Sequence, residues 1–181
     1  MEFLIGSDMG KKHFLAIFIV FFSLNSYSQD SISKNYFRAP LDIPMYLAGN
    51  FGELRSNHFH SGIDIKTQGV EGFKVYAAAD GYVSRIKISP WGYGNNIYIN
   101  HANGYTTVYA HLKEYSGEIA KLIKQYQYQN ESWEIDWYPS DTLMKVKKGD
   151  VIALSGNSGG SGGPHLHFEI RETISEFLVN P

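Results

Sequence analysis

The 181-residue sequence contains no cysteine. It therefore has no disulfide, no thiolate metal ligand, no cysteine nucleophile and no cysteine to carry a bacterial lipid anchor. Any metal site must use histidine and carboxylate ligands instead. An excess of one charge is also missing, because 16 basic and 18 acidic residues leave a net charge of -2. Since no stripe of Lys and Arg accompanies this balance, nucleic acid is not expected as a partner.

One long apolar stretch, at 14–24, stands near the N-terminus. Lys11 and Lys12 precede it, and residues 26–28 (Ser-Tyr-Ser) place small residues at a cleavage position. The stretch is shorter than the about 20 residues that a membrane-spanning helix requires. Residues 1–28 are therefore predicted to be a signal peptide, with an uncleaved membrane anchor as the alternative. We expect export to the periplasm, the cell envelope or the extracellular space.

The rest of the chain has the composition of a folded domain, with 43% hydrophobic residues. Residues 29–45 are polar, contain two prolines, and are predicted to be a linker or N-terminal arm. From Tyr46 onward, short β-branched and aromatic runs alternate with turn residues, and Asn103-Gly104 is a hairpin signal. The runs predict strands over 73–79, 82–88, 96–100, 105–112, 143–146, 151–154 and 165–170. Residues 46–181 should thus form a mainly β domain, an antiparallel sheet or sandwich.

The segment 114–142 interrupts the β pattern. Residues 116–129 fit a short amphipathic helix with Ser116 as the candidate N-cap. Its apolar stripe consists of Ile119, Leu122, Ile123 and Tyr126. We predict an insertion between two strands that lies over one edge of the sheet. Such an insertion either shapes a binding cleft or merely covers the edge.

Two histidines follow the Gly/Ser-rich stretch at 155–163, within the run 165–170. Strand alternation places His165, His167 and Glu169 on one face and Leu166, Phe168 and Ile170 on the other. The apolar set suits a core, so the two histidines are predicted on a solvent-accessible face, with Cα atoms about 7 Å apart. Strand geometry allows either histidine to bind a metal while the other faces a bound water molecule.

His60 and Asp64 form a second candidate pair. In an extended strand they would lie about 13 Å apart, too far to share a metal ion. The chain is therefore predicted to bend at Ser61-Gly62. Ile63 and Ile65 should point into the core on either side of Asp64.

His111 ends the predicted strand at 105–112. Alternation predicts Val108, Ala110 and Leu112 on a buried face and Thr107, Tyr109 and His111 on the opposite face. His111 would then share a face with the His-Leu-His pair, where a neutral imidazole can act as a general base. Four histidines and one aspartate in three elements predict metal-assisted hydrolysis, with a histidine stabilising the developing oxyanion.

Five motifs resemble the lysostaphin/LytM-type zinc endopeptidases, metallopeptidase family 23. They are 60-HSGIDI-65, 75-VYAAADGYV-83, 93-YGNNIYINHANGYTTVYAHL-112, 147-KKGDVIALSGNSG-159 and 163-GPHLHFEI-170. The resemblance extends from about Gly52 to the C-terminus. It implies one zinc ion held by His60, Asp64 and His167, with His111 and His165 acting on the water and the transition state. It also implies an antiparallel sheet with a zinc-bearing groove, and cleavage of peptide bonds in peptidoglycan.

Two other functions are compatible with the same residues. One is a catalytically inactive member that binds wall material or activates an amidase; another is a sugar- or metal-binding β domain with unrelated histidines. All five positions are filled, which favours an enzyme acting on the stem and cross-link peptides of peptidoglycan. The protein is expected to be a monomer. In a latent form, the insertion or the N-terminal arm would occupy the groove. His58 and His101 are expected to be surface histidines.

Overall fold

The short β-branched runs form strands in the computed structural model, which describes residues 35–181. The predicted signal peptide at 1–28 and the first residues of the predicted arm lie outside the described residues. The strands are β1 (Leu47–Gly49), β2 (Ile63–Lys66), β3 (Lys74–Tyr76), β4 (Gly81–Ile88), β5 (Asn96–His101), β6 (Tyr105–Ala110), β7 (Leu112–Tyr115), β8 (Ile135–Trp137), β9 (Lys145–Val146), β10 (Val151–Ser155), β11 (His165–Glu172) and β12 (Leu178–Val179). The helix is α1 (Gly117–Gln129).

Over residues 35–181 the strands form two antiparallel sheets. The larger has the order β1-β2-β11-β6-β5-β4-β8, with β12 beside β11 and β9 beside β4, and the smaller has the order β3-β10-β7. Fully buried Ile65, Ile97 and Leu166 of the large sheet belong to the same hydrophobic cluster as Val75 and Ile152 of the small sheet. The predicted mainly antiparallel β fold with one helix is confirmed. The predicted runs do not include β1, β2, β8 and β12, because strands of two to four residues are too short to show a period.

The predicted strand at 105–112 is broken at His111. The residue has φ +58°, in the left-handed region, so β6 ends at Ala110 and β7 begins in the other sheet at Leu112. Tyr109 pairs with Phe168, and both side chains lie in the core.

Side chains along β6 alternate and Val108 and Ala110 are buried, as predicted, but the sheet face assigned to them is wrong. Val108 and Ala110 pair with Glu169 and His167, so they share the face of the two candidate site residues and not the core face. Thr107 and Tyr109 face the core side. His111 lies at the site because its left-handed backbone ends the strand, so its side chain does not follow the strand alternation. Leu112 is buried in the core, as predicted.

The segment 114–142 forms the rest of β7, the helix and β8. Ser116 is the N-cap of α1, although its side chain makes no capping hydrogen bond, and Ile119 and Ile123 are buried. Tyr126 stacks on Trp137 with ring centroids 4.4 Å apart. Strand β8 pairs with β4, so the segment lies at one edge of the large sheet.

Residues 35–45, the described part of the predicted linker, pack on the domain. Leu41 is buried, and the backbone N–H of Arg38 donates to the carbonyl of Ala78 at 2.8 Å. The Lys148 ammonium donates to the carbonyls of Asn35 and Tyr36. This part of the chain is thus attached to the sheets. No helix within residues 35–181 is long and apolar enough to cross a bilayer.

Candidate metal centre

Three donor atoms converge where β2 and β11 pair. Asp64 lies opposite His167, and His60 stands just before β2. Oδ1 of Asp64 is 3.0 Å from Nε2 of His60 and 2.9 Å from Nδ1 of His167, and the two nitrogens are 3.0 Å apart. All three residues are buried. The structure therefore brings together the three residues predicted to be metal ligands.

The chain bends between His60 and Asp64, at the predicted Ser61-Gly62. A Cβ on Gly62 would lie 2.2 Å from the carbonyl oxygen of Phe168, so the close approach of β11 requires glycine here. The backbone N–H of His60 donates to the carbonyl of Glu53 at 2.8 Å. Ile63 and Ile65 are buried on either side of Asp64, as predicted.

Hydrogen bonds fix which nitrogen of each ligand ring faces Asp64. Nδ1 of His60 donates to the carbonyl of Asn50 at 2.8 Å, and Nε2 of His167 donates to Oε1 of Glu169 at 2.8 Å. In a neutral imidazole the other nitrogen carries a lone pair. Nε2 of His60 and Nδ1 of His167 are thus oriented toward a shared metal position. The opposite nitrogen of each ring donates to a carbonyl or a carboxylate, as is usual for metal-binding histidines.

The donor set and its spacing fit zinc. Zinc takes imidazole nitrogen and carboxylate oxygen at about 2.0–2.2 Å in tetrahedral geometry, which places the donor atoms of neighbouring ligands about 3.3 Å apart. The three atom pairs of the centre lie at 2.9–3.0 Å. Three protein ligands are the number found in catalytic zinc sites, where a fourth position stays open.

Two buried carboxylates supply negative charge at the centre. Burial favours the neutral form of Asp64, but hydrogen bonds with His165 and His167 outweigh it and hold its pKa well below the usual range. Arg55 donates to its Oδ2 at 2.9 Å. Burial also raises the pKa of Glu169, but the hydrogen bonds from His167 and Arg171 outweigh this effect and lower the pKa to about 2. Both carboxylates are therefore ionised at neutral pH, which favours a bound cation.

His111 and His165 face each other beside the three converging residues, with ring centroids 4.7 Å apart. Nδ1 of His111 donates to the carbonyl of Ser158 at 2.8 Å, and Nδ1 of His165 donates to the carbonyl of Gly163 at 2.8 Å. The backbone of the Gly/Ser-rich stretch thus orients both rings so that their Nε2 atoms face the cleft. Burial lowers the pKa of His111 to about 4, so its ring is neutral at pH 7.

On the strand face predicted to be solvent-accessible, His165 is half-buried and lines the cleft, whereas His167 and Glu169 are buried. Glu169 is fully buried, and the exposed fraction of His167 is 3%. Besides the His167 ring, Glu169 accepts hydrogen bonds from Arg171, Tyr93 and Ser61. The sequence analysis assigned Glu169 no role. Its position two residues after His167, on the same strand face, was the feature that could have indicated a contact with the His167 ring.

An open cleft of about 380 Å³ exposes this centre. Besides the five predicted site residues, its lining includes Arg55, Tyr93 and Ser161. Within residues 35–181, neither the arm at 35–45 nor the segment 114–142 contributes to the lining, so the described part of neither segment blocks the centre. The exposed His58 stands at the cleft, as a surface histidine.

His101 is not the surface histidine that the sequence predicts. Its ring is buried, with Nδ1 donating to the carbonyl of Asp80 at 2.9 Å and Nε2 lying 2.8 Å from the Thr107 hydroxyl. It joins β5 to β6 on the core side and is not part of the metal centre.

Comparison with known proteins gives a family match over most of the domain. Residues 58–128 and 140–181 match the sequence profile of peptidase family M23, and residues 129–139 fall between the matched parts. An uncharacterized metalloprotease of Haemophilus influenzae is 32% identical over 158 residues, which is 84% of this chain and 28% of that protein. The DD-carboxypeptidase/endopeptidase Mpg of Neisseria meningitidis serogroup B is 37% identical over 128 residues, 71% of this chain and 23% of Mpg.

A solved structure shows the same architecture. A zinc-containing peptidase from Vibrio cholerae superposes with a TM-score of 0.58 at 27% identity, over 81% of this chain and 39% of that one. The chain spans about a quarter of the length of the curated relatives that it matches. The similarity therefore concerns the domain that carries the metal centre.

Proposed function

The chain belongs to peptidase family M23, and from that premise we propose that it is an exported zinc endopeptidase that hydrolyses stem or cross-link peptides of peptidoglycan. The observation that carries the proposal is the convergence of Nε2 of His60, Oδ1 of Asp64 and Nδ1 of His167 within 3.0 Å of one another. The substrate class is supported by relatives named as DD-endopeptidases, among them Mpg and ShyA of Vibrio cholerae.

In this proposal His60, Asp64 and His167 hold one zinc ion. When bound, zinc supplies a Lewis acid and lowers the pKa of a coordinated water molecule to about 7. The Nε2 atoms of His111 and His165 face the cleft, where one ring accepts the proton of the attacking water and the other donates to the developing oxyanion. The hydrogen bonds from their Nδ1 atoms to the Gly/Ser-rich backbone hold both rings in that orientation.

The remaining features of the proposal concern the whole protein. We propose that residues 1–28 direct export and are removed, so that the mature N-terminus of the protein in the cell-envelope fraction begins near Gln29. The mature protein acts as a monomer without a lipid anchor. N-terminal sequencing and light scattering of the purified mature protein test these points.

The catalytic test uses purified zinc-loaded protein and defined muropeptides, both linear and cross-linked, with the products identified by mass. We expect hydrolysis of a peptide bond and a product pair that sums to the substrate plus one water. His60→Ala should lose both bound zinc and cleavage, because it removes a ligand. His111→Ala should keep the zinc and lose cleavage by about 10²–10⁴-fold.

His58→Ala is the matched control for zinc content, because the His58 side chain is exposed and forms a hydrogen bond with Asn57 but with none of the three proposed ligands. Its zinc stoichiometry should equal that of the unsubstituted protein. If zinc-loaded protein leaves every muropeptide intact, the enzyme proposal is wrong and the inactive wall-binding or amidase-activating alternative takes its place.

A further inference from the structure

The sheet face that carries the metal centre continues well beyond it. Cross-strand partners point to the same side of a sheet. Glu169 on β11 pairs with Val108 on β6, Val108 pairs with Tyr98 on β5, and Tyr98 pairs with Arg85 on β4. This row of residues runs from the metal centre across the sheet to β4, the strand that pairs with β8.

Three concavities along this face share lining residues. The metal cleft shares Gly92 and Tyr93 with a hollow of about 300 Å³, and that hollow shares Arg85 and Tyr98 with a pocket of about 390 Å³. We call this last one the distal pocket, lined by Tyr82, Tyr98, Asn100, Thr106, Tyr138 and Arg171, among others. Its volume lies within the range of small-molecule sites. The three concavities therefore adjoin one another, and we call them together the groove.

The far wall of the distal pocket comes from the segment that the family profile does not match. Tyr138 and Pro139 line it, and both fall within residues 129–139. Asp136 of the same segment receives two hydrogen bonds of 2.7 Å from Arg85. The Arg85 guanidinium in turn lies 5.1 Å from the Tyr138 ring and 5.2 Å from the Tyr98 ring. This part of the insertion thus shapes the end of the groove and does more than cover the sheet edge.

The distal pocket presents aromatic rings, hydroxyl and amide groups, and the carboxylates of Asp141, Glu172 and Glu176. Its two arginines are already paired, Arg85 with Asp136 and Arg171 with Glu169, so neither is free to select an anion. Tyr138 is 65% exposed, so the ring face turned away from the Arg85 guanidinium is available for stacking. Flat aromatic faces beside amide and hydroxyl groups match a ligand with apolar C–H faces and many hydroxyls. That ligand chemistry is a sugar with an N-acetyl substituent.

The distance from the metal centre to the distal pocket matches the length of a stem peptide. Arg171, which lines the pocket, stands four residues after His167 on β11, which is about 13 Å along the strand. An extended peptide covers about 3.3 Å per residue, so about four residues bridge this gap. A peptide bond near the end of a short stem would lie at the metal centre while the sugar that carries the stem lies over Tyr98 and Tyr138.

On the basis of the proposed function, we propose that the distal pocket is a glycan subsite, which binds the N-acetylated amino-sugar chain to which the scissile stem peptide is attached. Tyr138 contributes the stacking surface, and Asn100 and Thr106 contribute hydrogen bonds. The insertion therefore gives this chain a preference for peptides that are still attached to glycan.

Two probes test the subsite. The first is a peptide-free tetrasaccharide of the glycan strand, titrated into the zinc-loaded protein with detection by NMR. We expect shifts at Tyr98 and Tyr138 that saturate, and their loss in Tyr138→Ala. The second is a pair of cross-linked muropeptides, with sugars and after enzymatic removal of the sugars. The KM should be about threefold to tenfold lower with sugars, at unchanged kcat, and Tyr138→Ala should abolish that difference.

Tyr128→Ala is the matched control, because Tyr128 is a similarly exposed tyrosine on α1 outside the distal pocket. It should retain the preference for sugar. The subsite is wrong if the tetrasaccharide causes no shifts in the pocket, or if Tyr138→Ala raises the KM of both muropeptides equally. Failure to cleave either muropeptide would instead count against the proposed function, and the tetrasaccharide titration would still decide the subsite.

Discussion

At the scale of single residues, Glu169 connects the metal centre to the residues around it, although the sequence assigned it no role. It is fully buried and accepts hydrogen bonds on one oxygen from His167 and on the other from Arg171. These bonds turn the Nδ1 lone pair of His167 toward Asp64 and keep the carboxylate ionised. Arg171 also lines the distal pocket, so one side chain connects both ends of the groove.

Glu169→Gln tests this positioning role. An amide can accept from His167 or from Arg171, but its NH₂ group then meets the other donor, so the orientation of His167 should be lost. We expect zinc affinity to fall by about 10–100-fold, as measured by competition with a fluorescent chelator. Glu118→Gln, at an exposed helix position, should leave the affinity unchanged. Equal zinc affinity in folded Glu169→Gln protein would show that the carboxylate does not position the ligand.

Gly62 is the second residue whose identity the site geometry determines. An alanine Cβ would meet the Phe168 carbonyl at 2.2 Å, so β2 and β11 would have to separate where Asp64 and His167 pair. We expect Gly62→Ala to lower the free energy of unfolding by about 1–3 kcal/mol, measured by urea denaturation. Gly163→Ala has open space around its Cβ and should change it by less than about 0.5 kcal/mol. Similar values for both variants would contradict this account.

At the scale of elements, His111 shows where sequence periodicity fails and why. Alternation over 105–112 assumes one continuous strand, but the positive φ of His111 divides it between two sheets. A single left-handed residue that is not glycine leaves no periodic signal, so the faces of Val108 and Tyr109 were predicted the wrong way round. The run at 165–170 has no such break, and its core residues Leu166, Phe168 and Ile170 were predicted correctly.

Within the insertion, an aromatic stack joins α1 to β8. Tyr126 and Trp137 lie 4.4 Å apart at an interplanar angle of 12°. A double-mutant cycle with Tyr126→Ala and Trp137→Ala should give a coupling of about 0.5–1.5 kcal/mol in the free energy of unfolding. The cycle with Tyr128→Ala, whose ring is exposed, should give a coupling near zero. Equal couplings would mean that the stack does not join the two elements.

At the scale of the whole molecule, the sequence predicted the parts of the site better than their environment. His60, Asp64 and His167 could be predicted as candidate ligands because each stands in or next to a recognisable β run, and their side chains converge in the structure. The choice of His167 over His165 comes from the family resemblance and stays a prediction. The burial of Glu169 and His101 could not be predicted, because it depends on which strands become neighbours. The groove across β11, β6, β5 and β4 depends on the same long-range pairing.

Zinc binding should stabilise the folded molecule, and this provides a test of the ligand assignment that does not require activity. A ligand bound only by the native state adds about 2.7 kcal/mol when its free concentration is a hundredfold above Kd, which for a domain of this size raises Tm by about 5–10 °C. Calorimetry with zinc and with chelator should show this rise in the unsubstituted protein, in His111→Ala and in His165→Ala. The rise should vanish in His60→Ala and in His167→Ala, each compared with its own zinc-free Tm. If His165→Ala loses the rise and His167→Ala keeps it, the two histidines of the His-Leu-His motif have the opposite roles to those proposed.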